Sequence, residues 1–296
     1  MYNALPYVEE AIESIIHQTF QDWELLVIND TSTDGSPDIV SRYAAKDRRI
    51  KLIDNNTGLK GDGPARNCGI DQATGEYIAM MDADDISLPQ RLAEQVRFMD
   101  KHRDIELSGC WIQCFGNEKQ IHWSPPFDLI LKSILCFYDE PWGATIIFRR
   151  NAVKDRYIQS AFGADTLFTT KVALRHRVSN IPKILYRYRV HSASATRSTD
   201  HYPFLKGVFQ ELLPLRLGFI PNEQQIDTHL IWRFGSHAMG KNVSLLVQIR
   251  WLILVLTKGK YSWKERIVLA TLCVLKTTVK ALRSVKRVIV KPVVRA

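Results

Sequence analysis

The chain has 296 residues, 46% of them apolar, which suits one large domain, or one domain plus an appendage, with a sizeable core. Its five cysteines (Cys68, Cys110, Cys114, Cys136 and Cys273) include no pair with zinc-type spacing, and no basic-then-apolar stretch opens the chain, so a structural zinc and a signal peptide are not expected and free thiols in a reducing compartment are. The net charge of +9 is unevenly placed: residues 241–296 hold 13 Lys and Arg against one acid, Glu265, while residues 1–240 hold 27 bases against 30 acids.

The first 115 residues alternate between helical and strand-like patterns. Val8, Ala11, Ile12, Ile15 and Ile16 share one face of a helix over residues 6–17, with Pro6 in its first turn. Glu24 to Asn29 is an apolar run suited to a buried strand. A turn-rich loop, residues 31–36, leads into a helix over 37–46. A strand over 50–53, a helix over 65–73, a strand over 77–81, a helix over 89–102 and a strand over 107–115 follow. Short connections between alternating elements predict an α/β fold with a parallel sheet covered by helices. Beyond residue 116 the pattern is weaker: a helix over 129–137, a strand over 144–148, a helix over 165–176 and an extended segment over 181–188. A sheet of this kind should open with a strand feeding the first helix, and the chain runs from Met1-Tyr-Asn straight into that helix.

In such sheets ligands sit at the carboxyl ends of the strands. Two polar clusters fall there, Asn29-Asp30 and Asp82-Ala83-Asp84-Asp85. Three carboxylates in four residues repel one another unless a cation sits among them, and a hard divalent ion with oxygen ligands fits that need. Such an ion would neutralise a diphosphate and stabilise it as a leaving group. A solvated acidic turn capping the next helix is the plain alternative. An aspartyl-phosphate hydrolase is disfavoured, because the cluster comes late and is followed by Ile86 and Ser87 where a Thr would be expected.

The stretches Tyr2-Asn-Ala, Tyr7 to Ile15, Gln18-Thr-Phe, Trp23 to Ser36, Ala65-Arg-Asn-Cys-Gly-Ile70, Ala73 to Asp85 and Tyr188-Arg-Val-His191 together resemble family 2 glycosyltransferases of GT-A fold, over roughly residues 2–195. The resemblance implies an inverting, metal-dependent (Mn2+ or Mg2+) transfer of a sugar from a nucleotide diphosphate sugar, with a UDP-sugar favoured. The acceptor would be a glycan or a lipid-linked molecule, and the setting cell-surface polysaccharide synthesis. By position, Tyr2 matches the aromatic residue that stacks on the base and Asp30 the acid that pairs with it. Arg66 matches a basic residue near the nucleotide. Asp84 and Asp85 match the pair that contacts ribose and metal, with Asp82 supporting them. Asp165 matches the catalytic base, and His191 a histidine near the diphosphate. Stacking of this kind contributes ~1–3 kcal/mol per base. Each residue also has a structural reading: a free terminus for Tyr2, a turn cap for Asp30, a paired surface residue for Arg66, a hydrogen-bonder for His191.

Some positions depart from the family pattern. Thr31 stands where glycine is usual, and a β-branched residue disfavours positive φ, so a different loop is expected. Ala164 replaces the Glu before Asp165, and Thr169 a usual Trp. The loop over 58–64 is longer and carries three glycines. With the expected first strand missing, the start of the protein is expected upstream, or the chain is a truncated remnant. The rival to an enzyme is therefore a weak or inactive glycosyltransferase-like binding or scaffold protein.

Residues 1–195 read as the GT-A domain, 196–240 as a helical extension and 241–296 as a basic amphipathic helical tail. The apolar run 245–256, ~12 residues, is too short to span a bilayer, which needs ~20. Ser262 and Glu265 form a capping box that opens a second helix. There Val268, Leu272, Leu275, Val279 and Leu282 make an apolar stripe, and Lys276, Lys280, Arg283 and Arg287 a basic one. With Trp263 at its start, this helix reads as lying on an anionic membrane surface, which places the protein peripherally at the cytoplasmic inner face. A helix packed on the body is the alternative. Nucleic acid is not expected as a partner, since no aromatic-basic motif supports it.

Overall fold

The computed structural model describes residues 1–128, 131, 143–158, 164–192, 202–234 and 245–271. Helix α1 (Val8–Ile16) buries Val8, Ala11, Ile12 and Ile15, the spacing its sequence shows. Strand β1 (Leu25–Asn29), helix α2 (Ser36–Ala44), strand β2 (Ile50–Asp54), helix α3 (Asp62–Gln72) and strand β3 (Tyr77–Ala79) follow in order. Next come β4 (Ile86–Ser87), α4 (Arg91–Lys101), β5 (Ile105–Gly116) and β6 (Ile121–His122). The predicted strand over 144–148 divides into a tight helical turn, Gly143–Thr145, and a strand β7 (Ile147–Arg149). Then come α5 (Ala164–Arg175), β8 (Arg177–Val190), α6 (Tyr202–Leu217), α7 (Glu223–Phe234) and α8 (Leu245–Lys258), and the described residues 263–271 are helical and are labelled α9. Of the helix expected over 129–137 the described residues include Leu131, which is helical and buried; the tail stripes beyond residue 271 lie outside them.

The single parallel sheet expected from the alternation is not what forms. β1 and β2 pair in parallel from Leu25↔Ile50 to Asn29↔Asp54, as a sheet of two. A second, six-stranded sheet runs β3-β7-β5-β8-β4, with β6 added to β5. It is mixed: β5 and β8 are parallel, and the other pairs are antiparallel. Alternation specifies parallel pairing only where a helical crossover joins the two strands. β4 meets the distant β8, and β7 inserts between β3 and β5, so neither pairs with the next strand of the alternation. The outcome is an α/β fold with a curled mixed sheet. Among the described residues no ladder joins β1 to β3. On the free edge of β1, Met1 makes one step of strand pairing. Its ammonium donates to the Ile28 carbonyl at 2.7 Å, and its carbonyl accepts the Asp30 N–H at 2.8 Å.

Two features hold the sheets together. Ala4, Val8, Ile12, Ile39, Val40 and Ile50 form a core beneath the small sheet. Gln18, at the end of α1 and 1% exposed, staples it to the start of α4. Its amide donates to Ser14 and Leu88 carbonyls at 2.9 and 2.8 Å, and its oxygen accepts the Leu92 N–H at 3.0 Å. A buried amide that loses such partners costs roughly 1–3 kcal/mol.

Candidate active site

Strand β3 is short, and the Met80 N–H still pairs beyond it, donating to the Ile146 carbonyl at 2.9 Å. The chain then leaves the sheet, so Asp82, Asp84 and Asp85 emerge at its carboxyl end. Asp85 is the innermost, with no exposed surface. One oxygen accepts the Arg189 N–H at 2.7 Å, and the other, Oδ2, has no hydrogen-bond partner. Burial, then the charges of Asp82 and Asp84, push its carboxyl well above the usual range. Asp82 keeps a third of its side chain exposed and pairs with Arg66 Nη2 at 2.9 Å. Burial lifts its pKa to about 6 against the pull of Arg66, and Asp62, Asp84 and Asp165 add to the rise. Its backbone N–H donates to the Tyr186 hydroxyl at 3.1 Å. Asp84 meets His191 Nε2 at 3.0 Å, and its carbonyl accepts Arg189 Nε at 2.6 Å. The His191 ring in turn lies 4.7 Å from the ring of Tyr7 on the approach to α1.

Arg66 projects from α3, 11% exposed, and binds Asp62 through Nε at 2.9 Å. Its Nη1 has no hydrogen-bond partner, and its guanidinium stands 5.2 Å from the Tyr157 ring centre. Burial works against the charge, but Asp62, Asp82, Tyr157 and Asp165 hold the group firmly protonated. Asp165 thus belongs to the same electrostatic cluster. It lies in the first turn of α5 and packs on Gly143, where an added Cβ would come within 2.5 Å of the Asp165 Cβ. Gly63 is also required, since a Cβ there would fall 1.9 Å from the Ile158 carbonyl oxygen.

Asp30 is 8% exposed, and both its oxygens are engaged. Oδ1 accepts Asn55 Nδ2 at 2.7 Å and Oδ2 accepts the Gly61 N–H at 2.8 Å, which folds the loop after β2 over the end of β1. Tyr2 is 63% exposed beside this loop's neighbour, residues 31–34. Thr31 adopts φ +63°, so the loop keeps the left-handed turn despite the β-branched residue. The different loop expected there does not form, because Ser32, Asp34 and Ser36 bind residues 3–5 and hold the turn.

The structure adds residues that motif matching passed over. Arg91, 1% exposed, donates through Nη2 to the Met80 carbonyl at 2.6 Å and to the Ala144 carbonyl at 3.3 Å. Its Nε donates to Gln95, whose amide binds the Thr145 carbonyl at 2.8 Å. The guanidinium also lies 4.7 Å from the Tyr186 ring centre. This pair therefore ties the strand entering the acidic cluster to the turn beneath Asp165. The available signal was an Arg and a Gln four residues apart on the helix's buried face.

A divalent cation suits this site. Asp85 has a buried carboxylate oxygen without a hydrogen-bond partner, and the charges of Asp82 and Asp84 add to the burial that raises its proton affinity. Among the described residues no three His, Cys, Asp or Glu side chains form a ready-made metal cage.

Residues 1–172 match the family model described as Glycosyl transferase family 2. The putative glycosyltransferase EpsE of Bacillus subtilis (strain 168) is 42% identical over 116 residues, which cover 39% of this chain and 41% of that protein. The chain thus aligns with about two fifths of that relative's length. Among solved structures, S. aureus TarS 1-349 in complex with UDP-GlcNAc superposes with TM-score 0.66 at 22% identity, over 86% of this chain and 78% of that one. The mannosyltransferase PcManGT from Pyrobaculum calidifontis, in complex with GDP-Man and Mn2+, superposes with TM-score 0.58 at 20% identity, over 93% of this chain and 78% of that one. At these identities the two structures establish a shared fold.

Proposed function

The chain belongs to glycosyl transferase family 2, and we propose from that premise that it transfers a sugar from a nucleoside diphosphate sugar to an acceptor hydroxyl with inversion at the anomeric carbon. The observation that carries this reading is the Asp82–Arg66 ion pair at 2.9 Å, three residues before the buried Asp85 whose Oδ2 has no hydrogen-bond partner. TarS with UDP-GlcNAc and PcManGT with GDP-Man and Mn2+ support a donor of this class on the shared fold.

In this reading the base rests on Tyr2 and faces the loop that Asp30 organises. The free Nη1 of Arg66 donates to a diphosphate oxygen, and His191 stands beside Asp84 on the same side. Asp84 and Asp85 would hold the metal, with Asp82 supporting, and the ion supplies charge neutralisation of the leaving diphosphate. Asp165 accepts the proton of the acceptor hydroxyl as its oxygen bonds to the anomeric carbon. The bond from that carbon to the diphosphate breaks, and its electron pair leaves with the nucleoside diphosphate. The acceptor is proposed as a glycan or lipid-linked hydroxyl.

Asp165→Asn tests the assignment. Transfer should fall by roughly 10²–10⁴, while calorimetric binding of the donor with Mn2+ stays within about twofold. Retained transfer, or loss of donor binding, overturns the role of Asp165. If the unaltered protein binds nucleotide sugars yet neither hydrolyses nor transfers them, the chain is a binding protein on this fold. The replacement of the usual Glu by Ala164 favours that second reading.

A further inference from the structure

The C-terminal helices divide their apolar residues between two opposite duties. Trp251, Val255, Tyr261 and Leu269 enter one core with Leu167 of α5 and with Val208, Phe209 and Leu212 of α6. The Trp251 indole N–H also donates to His229 of α7 at 3.2 Å. A second set faces out: Ile249 and Ile253 on α8, 45% and 54% exposed, and Trp263 and Ile267 on α9, 68% and 57% exposed. Each pair is four residues apart, so each forms a short rail along its helix.

The two rails are rigidly related. Arg266 of α9 donates to the Leu256, Gly259 and Tyr261 carbonyls and so caps the end of α8. The capping box closes the other side: the Ser262 N–H donates to Glu265 Oε2 at 2.7 Å, and the Glu265 N–H donates to Ser262 Oγ at 3.3 Å. Arg250, Lys258, Lys260 and Lys264 are exposed on the same two helices and their turn. The one acid of the segment, Glu265, is buried in its cap. An exposed apolar set bordered by cations with no exposed acid is complementary to an anionic lipid interface.

We propose that α8 and α9 form a membrane-docking face in which Ile249, Ile253, Trp263 and Ile267 enter the headgroup boundary and the surrounding lysines and Arg250 meet anionic lipid. This face uses Trp263 and Ile267 on α9, not the stripe led by Val268 that periodicity suggests, whose other members lie outside the described residues. The proposal stands apart from the donor site and does not depend on the transfer chemistry.

Removing everything after residue 240 would strip Trp251 and Val255 from the core, so point variants of the full chain are the sound test. Co-sedimentation with phosphatidylcholine vesicles, with and without phosphatidylglycerol, reads the partitioning. The unaltered protein should bind the anionic vesicles, and less at high salt. I253D combined with W263A should lower partitioning about tenfold or more, and so should K258E combined with K264E. I121D, on the exposed strand β6, should leave it unchanged, and thermal midpoints should show all variants folded. Failure of the unaltered protein to bind the anionic vesicles, or binding by both double variants as strong as that of the unaltered protein, overturns the proposal. So does self-association in lipid-free sedimentation that the same variants abolish, which would make a second copy the partner.

Discussion

Burial and the charges of Asp62, Asp84 and Asp165 outweigh Arg66 and raise the pKa of Asp82 to about 6. An unfolded Asp releases its proton near pH 4. Between these values the folded state binds the extra proton, so stability falls as pH rises through that window. Below it both states are protonated and the effect is absent. Asp82→Asn removes the liability while keeping an acceptor for Arg66. Its thermal stability relative to the unaltered chain should therefore rise between pH 4.5 and pH 7, by about 1 kcal/mol once solvent screening of the exposed third is allowed for. An equal difference at both pH values would show that Asp82 is ionised throughout. The identities of the acids were legible as motifs, but their depths were not. The resemblance implies a supporting role for Asp82, and it says nothing of depth; Asp85 is the fully buried member, because it meets the Arg189 N–H of a strand about 100 residues away. Thr31 teaches a similar point. Propensity argues against φ +63°, and the hydrogen bonds from residues 32–36 to the chain before α1 impose it.

Helix α4 shows how an element can serve a site that it does not line. Its apolar face was readable from periodicity, yet two of its four buried residues are Arg91 and Gln95. Their hydrogen bonds to Met80, Ala144 and Thr145 link β3 to the turn that seats Asp165. Lysine would keep the charge at position 91 but has no planar fork to reach the Met80 and Ala144 carbonyls and Gln95 together. Arg91→Lys should cost about 1–3 kcal/mol in urea unfolding. A change within error would show that the clamp contributes no stability. Strand β7 was only half legible for the same reason. Residues 144–146 look extended by composition, but Gly143–Thr145 coils because Asp165 and the Gln95 amide pack against it. The capping box at Ser262 and Glu265 was fully legible, since both partners lie within one turn of the chain.

Across the whole molecule the two sheets differ in support. β5 and β8 are long, heavily buried and flanked on both edges, whereas β1 and β2 have one ladder between them and only one buried residue each. Local opening follows such differences. Native-state hydrogen exchange should therefore release the amides of β1 and β2 well before those of Leu107–Ile112 and their β8 partners. Uniform protection would mean that α1 and the Gln18 staple bind the halves into one cooperative unit. The order of helices and strands up to β3, the family and the positions of the acidic clusters were determined by the sequence, because periodicity and motif spacing are local properties of a chain. The tertiary structure decided the split into two sheets, the antiparallel course of β4 and β7, the depth of Asp85 and which face of α8 and α9 is left outside. Those outcomes depend on which distant segments meet, and hydrogen-bond partners 50 to 100 residues apart leave no periodic trace in the sequence.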